Sequence, residues 1–335
     1  MRIPISEIRE KIKEAFIRRN FPEDAAQILV EEFLEGELQG RQSHGLMALP
    51  SFLENVGSFD KTKYKILTKK HALIVVDAGE ISGSYVGRVV ADDLIKIAAD
   101  EGVAVGLIKN MKTWLRPGAI AQYVADHDMV AFVINNGGKA MVAPAGGYDP
   151  VVGTNPIGIG VPTDEQPIII DMATSKHAWG EVRKAKKNNT ELPKDSYYTN
   201  KGEFAVRPDD AYSALPAGDY KGFSLALFIE IMTGSFLGRD MGKNLGNNLK
   251  TIENSDAQSV TRGAMILVMN PAITTNVDQF KKSNSELIRE IKKGNKLPGV
   301  EEIYIPGERA AQERKENMQN GYLEVDEELW RKITE

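Results

Sequence analysis

Apolar positions recur with two different spacings along the chain, and the spacings divide it into helices and strands. Ile5, Ile8, Ile12, Ala15 and Phe16 fall on one face of a helical repeat, which predicts a helix over 5–19. Pro22 opens a second helix to about Leu38, with Glu23 and Asp24 in the first turn, where the helix dipole favours acids. A third helix is expected to start near Ser43, whose hydroxyl is suited to capping it. The pattern then changes. Apolar runs at 72–77, 103–108, 129–134, 157–161, 168–170 and 264–269 read as buried strands. Helices are expected between and after them at 86–99, 221–236, 277–293 and 309–319. This alternation predicts an α/β protein. The lysine-rich stretch 184–195 reads as an exposed connection, and 239–256, rich in Gly, Asn and Lys, as a flexible loop.

Composition narrows the function classes. At 335 residues, with 27% charged and 42% hydrophobic residues, the chain is long enough for a large core. A net charge of −5 argues against nucleic acid or an anionic membrane as a partner. No apolar run approaches the roughly 20 residues of a membrane span. The first sixteen residues are amphipathic and charged, unlike a secretory leader. A cytoplasmic enzyme fits these features. The absence of cysteine removes disulfides, thiolate metal sites and cysteine nucleophiles, and no acidic metal cluster is recognisable. No GxGxxG follows a strand, so the usual dinucleotide fingerprint is missing. Only four histidines are present, and His44, between Ser43 and Gly45, has the best context for proton transfer near neutral pH. It is either an acid–base group or a structural residue at a helix start. The residues alone leave the reaction open.

Ordered segments spread over most of the chain go further. They are 40–45 (GRQSHG), 143–147 (APAGG), 153–156 (GTNP), 171–175 (DMATS), 178–180 (AWG), 221–227 (KGFSLAL) and 306–308 (PGE). In this order they resemble the malate/L-lactate dehydrogenase family of the non-Rossmann type. That family also includes ureidoglycolate, sulfolactate and 2,3-diketogulonate oxidoreductases and cyclic imino-acid reductases. The resemblance implies a non-Rossmann dinucleotide-binding fold, with a mixed-sheet part over 66–284 and a helical part built from 1–65 and 285–335. It implies hydride transfer between NAD or NADP and a 2-oxo acid or a related keto or imino compound. It also implies a homodimer with the active site near the subunit boundary. His44 matches the family's proton donor, and an unperturbed imidazole has both protonation states accessible near neutral pH.

The family's cofactor segments match Asp171, Met172, Ala173, Thr174 and Ser175, then Trp179 and Gly180, Tyr220 and Lys221, and Gly307, Glu308 and Arg309. Asp171–Ser175 is expected where a strand ends and a helix begins, and helix N-terminal N–H groups suit a phosphate. The plain alternatives are a helix cap at Asp171 and a solvated lysine at Lys221. Lys176 and Arg183 are candidates for reading a 2′-phosphate, and the choice between NAD and NADP stays open.

Departures from the family pattern bear on the substrate. The family reads SHGxxRLP where this chain has Ala48, so an arginine expected to hold the substrate carboxylate is absent. With a helix starting at Ser43, position 48 would share a face with His44. At Thr113, Trp114 and Leu115 the chain also lacks a histidine followed by Phe-Gly. Lys112, Arg116 or Lys139 is then a candidate replacement cation, each with a surface charge as its alternative. Asn155 either lines the site or shapes a turn. Three readings follow: an atypical keto or imino substrate, an ordinary malate- or lactate-type reaction with a compensating cation, or a non-catalytic dinucleotide-binding protein. The first is preferred.

Overall fold

The computed structural model describes residues 1–56, 59–245 and 261–335. The chain opens with strand β1 (Arg2–Pro4) and helices α1 (Ile5–Ile17), α2 (Glu23–Leu38) and α3 (Leu49–Val56). Strands β2 (Lys65–Lys70) and β3 (Leu73–Asp77) lead into α4 (Gly83–Glu101), β4 (Val103–Met111), α5 (Pro117–Ala125) and β5 (Val130–Asn135). Then come β6 (Ile157–Val161), β7 (Ile168–Met172) and α6 (Gly180–Asn188), a small hairpin-like pair β8 (Tyr197–Tyr198) and β9 (Ser213–Ala214), and α7 (Tyr220–Thr233). The last elements are β10 (Arg262–Met269), α8 (Val277–Lys292), α9 (Glu308–Asn320), β11 (Tyr322–Glu324) and α10 (Glu327–Thr334).

Seven strands form one sheet in the order β2-β3-β4-β10-β5-β6-β7. Only β3 and β4 run parallel, joined by α4, and every other neighbour is antiparallel. This is a mixed sheet in an α/β protein. Helices α4 and α5 pack on the sheet, and α2 packs on α4. One continuous core therefore runs from Ile8, Phe16 and Phe33 in the helices to Val76, Ile108, Val133 and Ile266 in the strands. Phe33 meets Phe52 edge to face at 5.0 Å, a geometry favoured by the ring quadrupoles. A smaller core gathers Val142, Val152, Val182, Tyr197 and Ala214. The two chain ends meet, with β1 pairing antiparallel to β11 and α1 packing on α10. Among the described residues, no helix is long and apolar enough to cross a membrane.

Four differences from the sequence expectations have local causes. The third helix does not begin at Ser43. Two single 3-10 turns, Gln42–His44 and Leu46–Ala48, come first, separated by Gly45 at φ −100 and ψ −137, and the helix starts at Leu49. Helix α6 occupies part of the stretch expected to be a connection, because Val182 and Ala185 give that polar segment a buried stripe. Helix α5 starts at Pro117, a residue suited to a helix start. Strand β2 is exposed at every position and pairs only with β3, so no apolar pattern marks it. Of the expected loop at 239–256, residues 246–256 lie outside the described residues.

Candidate active site

Helix α2 builds the seat for His44. A Cβ on Gly36 would lie 2.7 Å from the His44 carbonyl oxygen, and one on Gly45 would lie 2.3 Å from Glu37 Oε2. The two backbones touch because neither glycine carries a side chain. Glu37 is buried, and its Oε2 accepts from the Leu46 N–H at 2.8 Å. The Arg41 N–H donates to Gly36 O at 2.8 Å. The turn carrying His44 is thus clamped on both sides. Ser43 Oγ and His44 Nδ1 share a hydrogen bond of 3.0 Å, whose proton sits on either partner.

Charged groups converge on this turn from four elements. Arg41 Nε lies 3.9 Å from Asp171 Oδ2 of β7. Arg116, just before α5, is only 4% exposed, and its Nη1 donates to Gln39 Oε1 at 2.8 Å. Its Nε lies 3.9 Å from Glu32 Oε1 of α2. Arg183 projects from α6. Burial, then Arg116, push His44 down from 6.5 to about 4; Arg41 and Arg183 act in the same direction and Asp171 opposes them. His44 is therefore neutral at neutral pH, which corrects the expectation that both forms are accessible there.

The cofactor-matched segments gather along β7, the last strand of the sheet. Ile169 N–H donates to Pro306 O at 3.1 Å, which brings Gly307, Glu308 and Arg309 at the start of α9 to this edge. Ala217 N–H donates to Thr174 O at 2.9 Å, which brings Tyr220 and Lys221 at the start of α7 beside Thr174 and Ser175. Gly180 faces Ser43, the neighbour of His44, at 3.3 Å from an added Cβ. Tyr220 and Met172 are 64% and 48% exposed. One expectation changes. No helix follows Asp171 directly: residues 173–179 form a connection, and the helix N-termini are at Trp179–Gly180 and Gly307–Glu308. The Thr174 N–H is already committed to Thr154 O at 3.0 Å, so it does not face a phosphate. Glu308 Oε1 pairs with Lys292 at 2.8 Å, and Arg309 lies over the Tyr304 ring. Lys176 Nζ donates to Asp195 O at 2.7 Å.

The substrate candidates separate clearly. Ala48 packs against the main core, and the break at Gly45 removes the helical relation to His44 that the sequence suggested. Trp114 and Leu115 are buried, with Trp114 packed against Gly83 and Gly87 of α4 and its Nε1–H donating to Arg116 O at 3.1 Å. Thr113 gives its carbonyl to the Gly83 N–H at 3.0 Å. Lys112 Nζ lies 4.0 Å from Glu80 Oε2, and Arg116 points at Gln39 and Glu32. Asn155 is fully buried at φ 33. Its Oδ1 accepts from Gly137 N–H at 2.8 Å, and its Nδ2 donates to Ala226 O and Glu230 Oε2 at 2.9 and 2.8 Å. It fastens a turn and presents no free group to a ligand.

Lys139 is different, and it brings a residue that sequence reasoning missed. Arg262, the first residue of β10, lies against the 136–139 turn, with its Nε 2.9 Å from a Cβ placed on Gly138. Desolvation lowers both cations, Arg262 to about 10, and no carboxylate among the described residues offsets the effect in either case. The available signal was an arginine at the entry of an apolar strand. The turn connects to the cofactor edge: Gly137 touches Thr154, whose carbonyl accepts from Thr174.

Comparison with known proteins gives the same grouping. The family model described as malate/L-lactate dehydrogenase matches residues 3–334. L-sulfolactate dehydrogenase of Methanocaldococcus jannaschii is 30% identical over 319 residues, covering 94% of this chain and 90% of that protein. A Delta(1)-pyrroline-2-carboxylate/Delta(1)-piperideine-2-carboxylate reductase of Pseudomonas putida is 24% identical, covering 98% and 95%. The solved structure of sulfolactate dehydrogenase from M. jannaschii superposes with a TM-score of 0.88 at 26% identity, covering 99% of this chain and 95% of that one.

Proposed function

The chain belongs to the malate/L-lactate dehydrogenase family and is an oxidoreductase, and we propose that His44 handles the proton while a hydride moves between NAD or NADP and a small 2-hydroxy, 2-oxo or imino acid. The observation that carries this reading is the clamped, half-buried His44, within the influence of Asp171 and at the point where Gly180 meets Ser43. The segments along β7 fit a dinucleotide. Two helix N-termini offer N–H groups, and small residues at Gly180 and Gly307 leave room that a Cβ would fill, 3.3 Å from Ser43 and 3.1 Å from Ile169. When bound, the nicotinamide gives or accepts the hydride.

The neutral state of His44 suits the oxidation direction. With Nδ1–H donating to Ser43 Oγ, the Nε2 lone pair is free to take the substrate hydroxyl proton as the carbon loses hydride. Asp171 stabilises the imidazolium so formed. In reduction, the same imidazolium returns the proton to the developing alkoxide or amine. An anionic substrate beside the ring raises the pKa and makes that direction possible.

The family arginine at position 48 is replaced functionally by Arg262 and Lys139. Two desolvated cations without a carboxylate partner among the described residues suit an anion, and the guanidinium fork suits a carboxylate. The substrate is atypical in that its acid group is read from this turn and not from the His44 segment. The test is a turnover assay with NADH and NADPH against a panel of 2-oxo acids and cyclic imines, and with NAD and NADP against 2-hydroxy acids. Tight cofactor binding with no turnover across the panel sinks the catalytic reading.

The outward face of helix α7 supports a subunit boundary beside the site. It exposes Leu225, Leu227, Phe228 and Ile231, followed by Phe236, so it is apolar on its outward side as well as its inward one. A helix apolar all round calls for burial. A second copy of the chain covers this face beside Tyr220 and Lys221. Sedimentation equilibrium of the wild type and Phe228→Asp checks it, and a monomeric wild type overturns it.

A further inference from the structure

Behind the His44 turn lies an ion pair that the reaction scheme above does not use. Glu32 sits on the inner face of α2 and Arg116 at the start of α5. Their side chains are 9% and 4% exposed, and Nε and Oε1 lie 3.9 Å apart. Neither of these two atoms has a hydrogen-bond partner among the described residues. The charge on each is therefore answered chiefly by the other. Gln39, which holds Arg116 by Nη1, leads directly into the turn that carries His44.

We propose that Glu32 and Arg116 are a positioning pair for His44: Glu32 balances the Arg116 guanidinium, and loss of that balance changes the charge His44 will carry. The proposal rests on His44 being the proton-transfer residue.

The surroundings of Glu32 make the balance adjustable. Arg116 faces it from the start of α5, Arg88 from α4, Glu35 from its own helix and Asp171 from β7. Burial pushes Glu32 up to about 7, with Asp171 and Glu35 adding to the rise and the two arginines opposing it. A cavity of about 230 Å³, lined by Glu32, Arg116, Arg88, Gln39 and Tyr123 among others, gives water a place beside the carboxyl. On its other side, Arg116 is the strongest of the charges that oppose an imidazolium at His44, with Arg41 and Arg183 acting the same way and Asp171 favouring it. When Glu32 is ionised, Arg116 is neutralised and a proton on His44 costs less. When Glu32 is protonated, Arg116 stands uncompensated and His44 holds a proton less readily. As pH falls through neutrality, His44 thus becomes harder to protonate. This coupling keeps it a base over a wider range than an isolated imidazole.

The experiment is a pair of pH titrations on the full-length protein. One follows the ring carbons of 13C-labelled histidine by NMR, with His44→Gln to assign the signal. The other measures kcat/KM in the oxidation direction. In the wild type the His44 signal is expected to show a small inflection near neutral pH, without the full change that marks ring protonation. Glu32→Gln, an isosteric mimic of the protonated acid, abolishes that inflection and the matching limb of kcat/KM. Arg116→Lys keeps the cation and retains both. An inflection unchanged in Glu32→Gln, with His44→Gln inactive, overturns the positioning pair and leaves the role of His44 intact. Full activity in His44→Gln instead overturns the reading on which the proposal rests. Direct titration of the labelled Glu32 carboxyl in the wild type decides the case if Glu32→Gln fails to fold; ordinary ionisation well below neutrality overturns the proposal.

Discussion

The two flanks of the candidate site treat positive charge in opposite ways. Around His44 two of the three arginines that act on it face an acid, Arg41 with Asp171 and Arg116 with Glu32. Around the 136–139 turn, Lys139 and Arg262 are desolvated and no carboxylate among the described residues compensates them. A self-balanced cluster is built to work on a proton without drawing in ions. An unbalanced one is incomplete until an anion arrives. On the proposed function, the first flank does the chemistry and the second recognises the substrate, and substitutions at each should affect different kinetic constants.

The largest effect is expected on the balanced flank. His44→Gln should lower kcat by at least about 10², the lower end of what a positioned acid–base group supplies, while leaving cofactor affinity unchanged. Stopped-flow turnover and cofactor titration by fluorescence check both parts. A large change in cofactor affinity would show that His44 belongs to the binding edge, and the division would fail. Next comes Arg262→Met. Loss of a charge-assisted contact to a carboxylate is worth about 1.5–3 kcal/mol, so KM should rise roughly ten- to a hundredfold, with a smaller change in kcat. A fall in kcat at constant KM would move Arg262 into the chemical step.

The elements that were legible in the sequence are those with a one-sided or fully buried apolar pattern. Helices α1, α2 and α4 and strands β3 to β6 declared themselves this way. Strand β2 did not, because Lys65, Lys69 and Lys70 pair at an exposed edge where no burial pattern is required. Helix α6 hid its two buried residues among lysines. The turn at His44 misled because Ser43 looks like a helix cap, whereas Gly45 breaks the helix to let Glu37 approach. His44 and the segments along β7 were visible as local motifs. The charge balance was not. Glu32 and Arg116 are far apart in sequence and meet only in the folded chain, and Arg262 of β10 reaches the Gly138 turn after β5 only because those strands pair. Such pairs carry no local signature.

A smaller effect sharpens the unbalanced flank without mutating the chemistry. Sulfate in phosphate-free buffer should stabilise the protein through Lys139 and Arg262. At ten times its dissociation constant the gain is about 1.4 kcal/mol, a rise of a few degrees at most in Tm. The control is Arg262→Met, in which most of that rise should vanish while general salt effects remain. An equal rise in both proteins would mean that the cations are not an anion receptor.

The smallest effect tests the balanced flank through its stability. His44 is held neutral, with its folded pKa near 4 against 6.5 for the free side chain. Protons therefore bind the unfolded chain more readily than the native one in the window between those values. The sign is unusual only in its cause: a depressed histidine pKa contributes nothing above about 6.5 and destabilises as pH falls below it. Between pH 7 and 5.5 the loss from this one group is about 1 kcal/mol. Other groups titrate in the same range, Glu32 among them, so the useful quantity is a difference. The stability of the wild type minus that of His44→Gln, from urea unfolding at each pH, should fall by that amount across the window and level off above pH 7. Substrate-like anions should shrink the fall, because they favour the imidazolium in the native state. A difference that stays flat from pH 7 to 5.5 would mean that His44 titrates normally when folded. The arginines around it would then not oppose its charge, and the contrast between the two flanks would collapse to a matter of geometry.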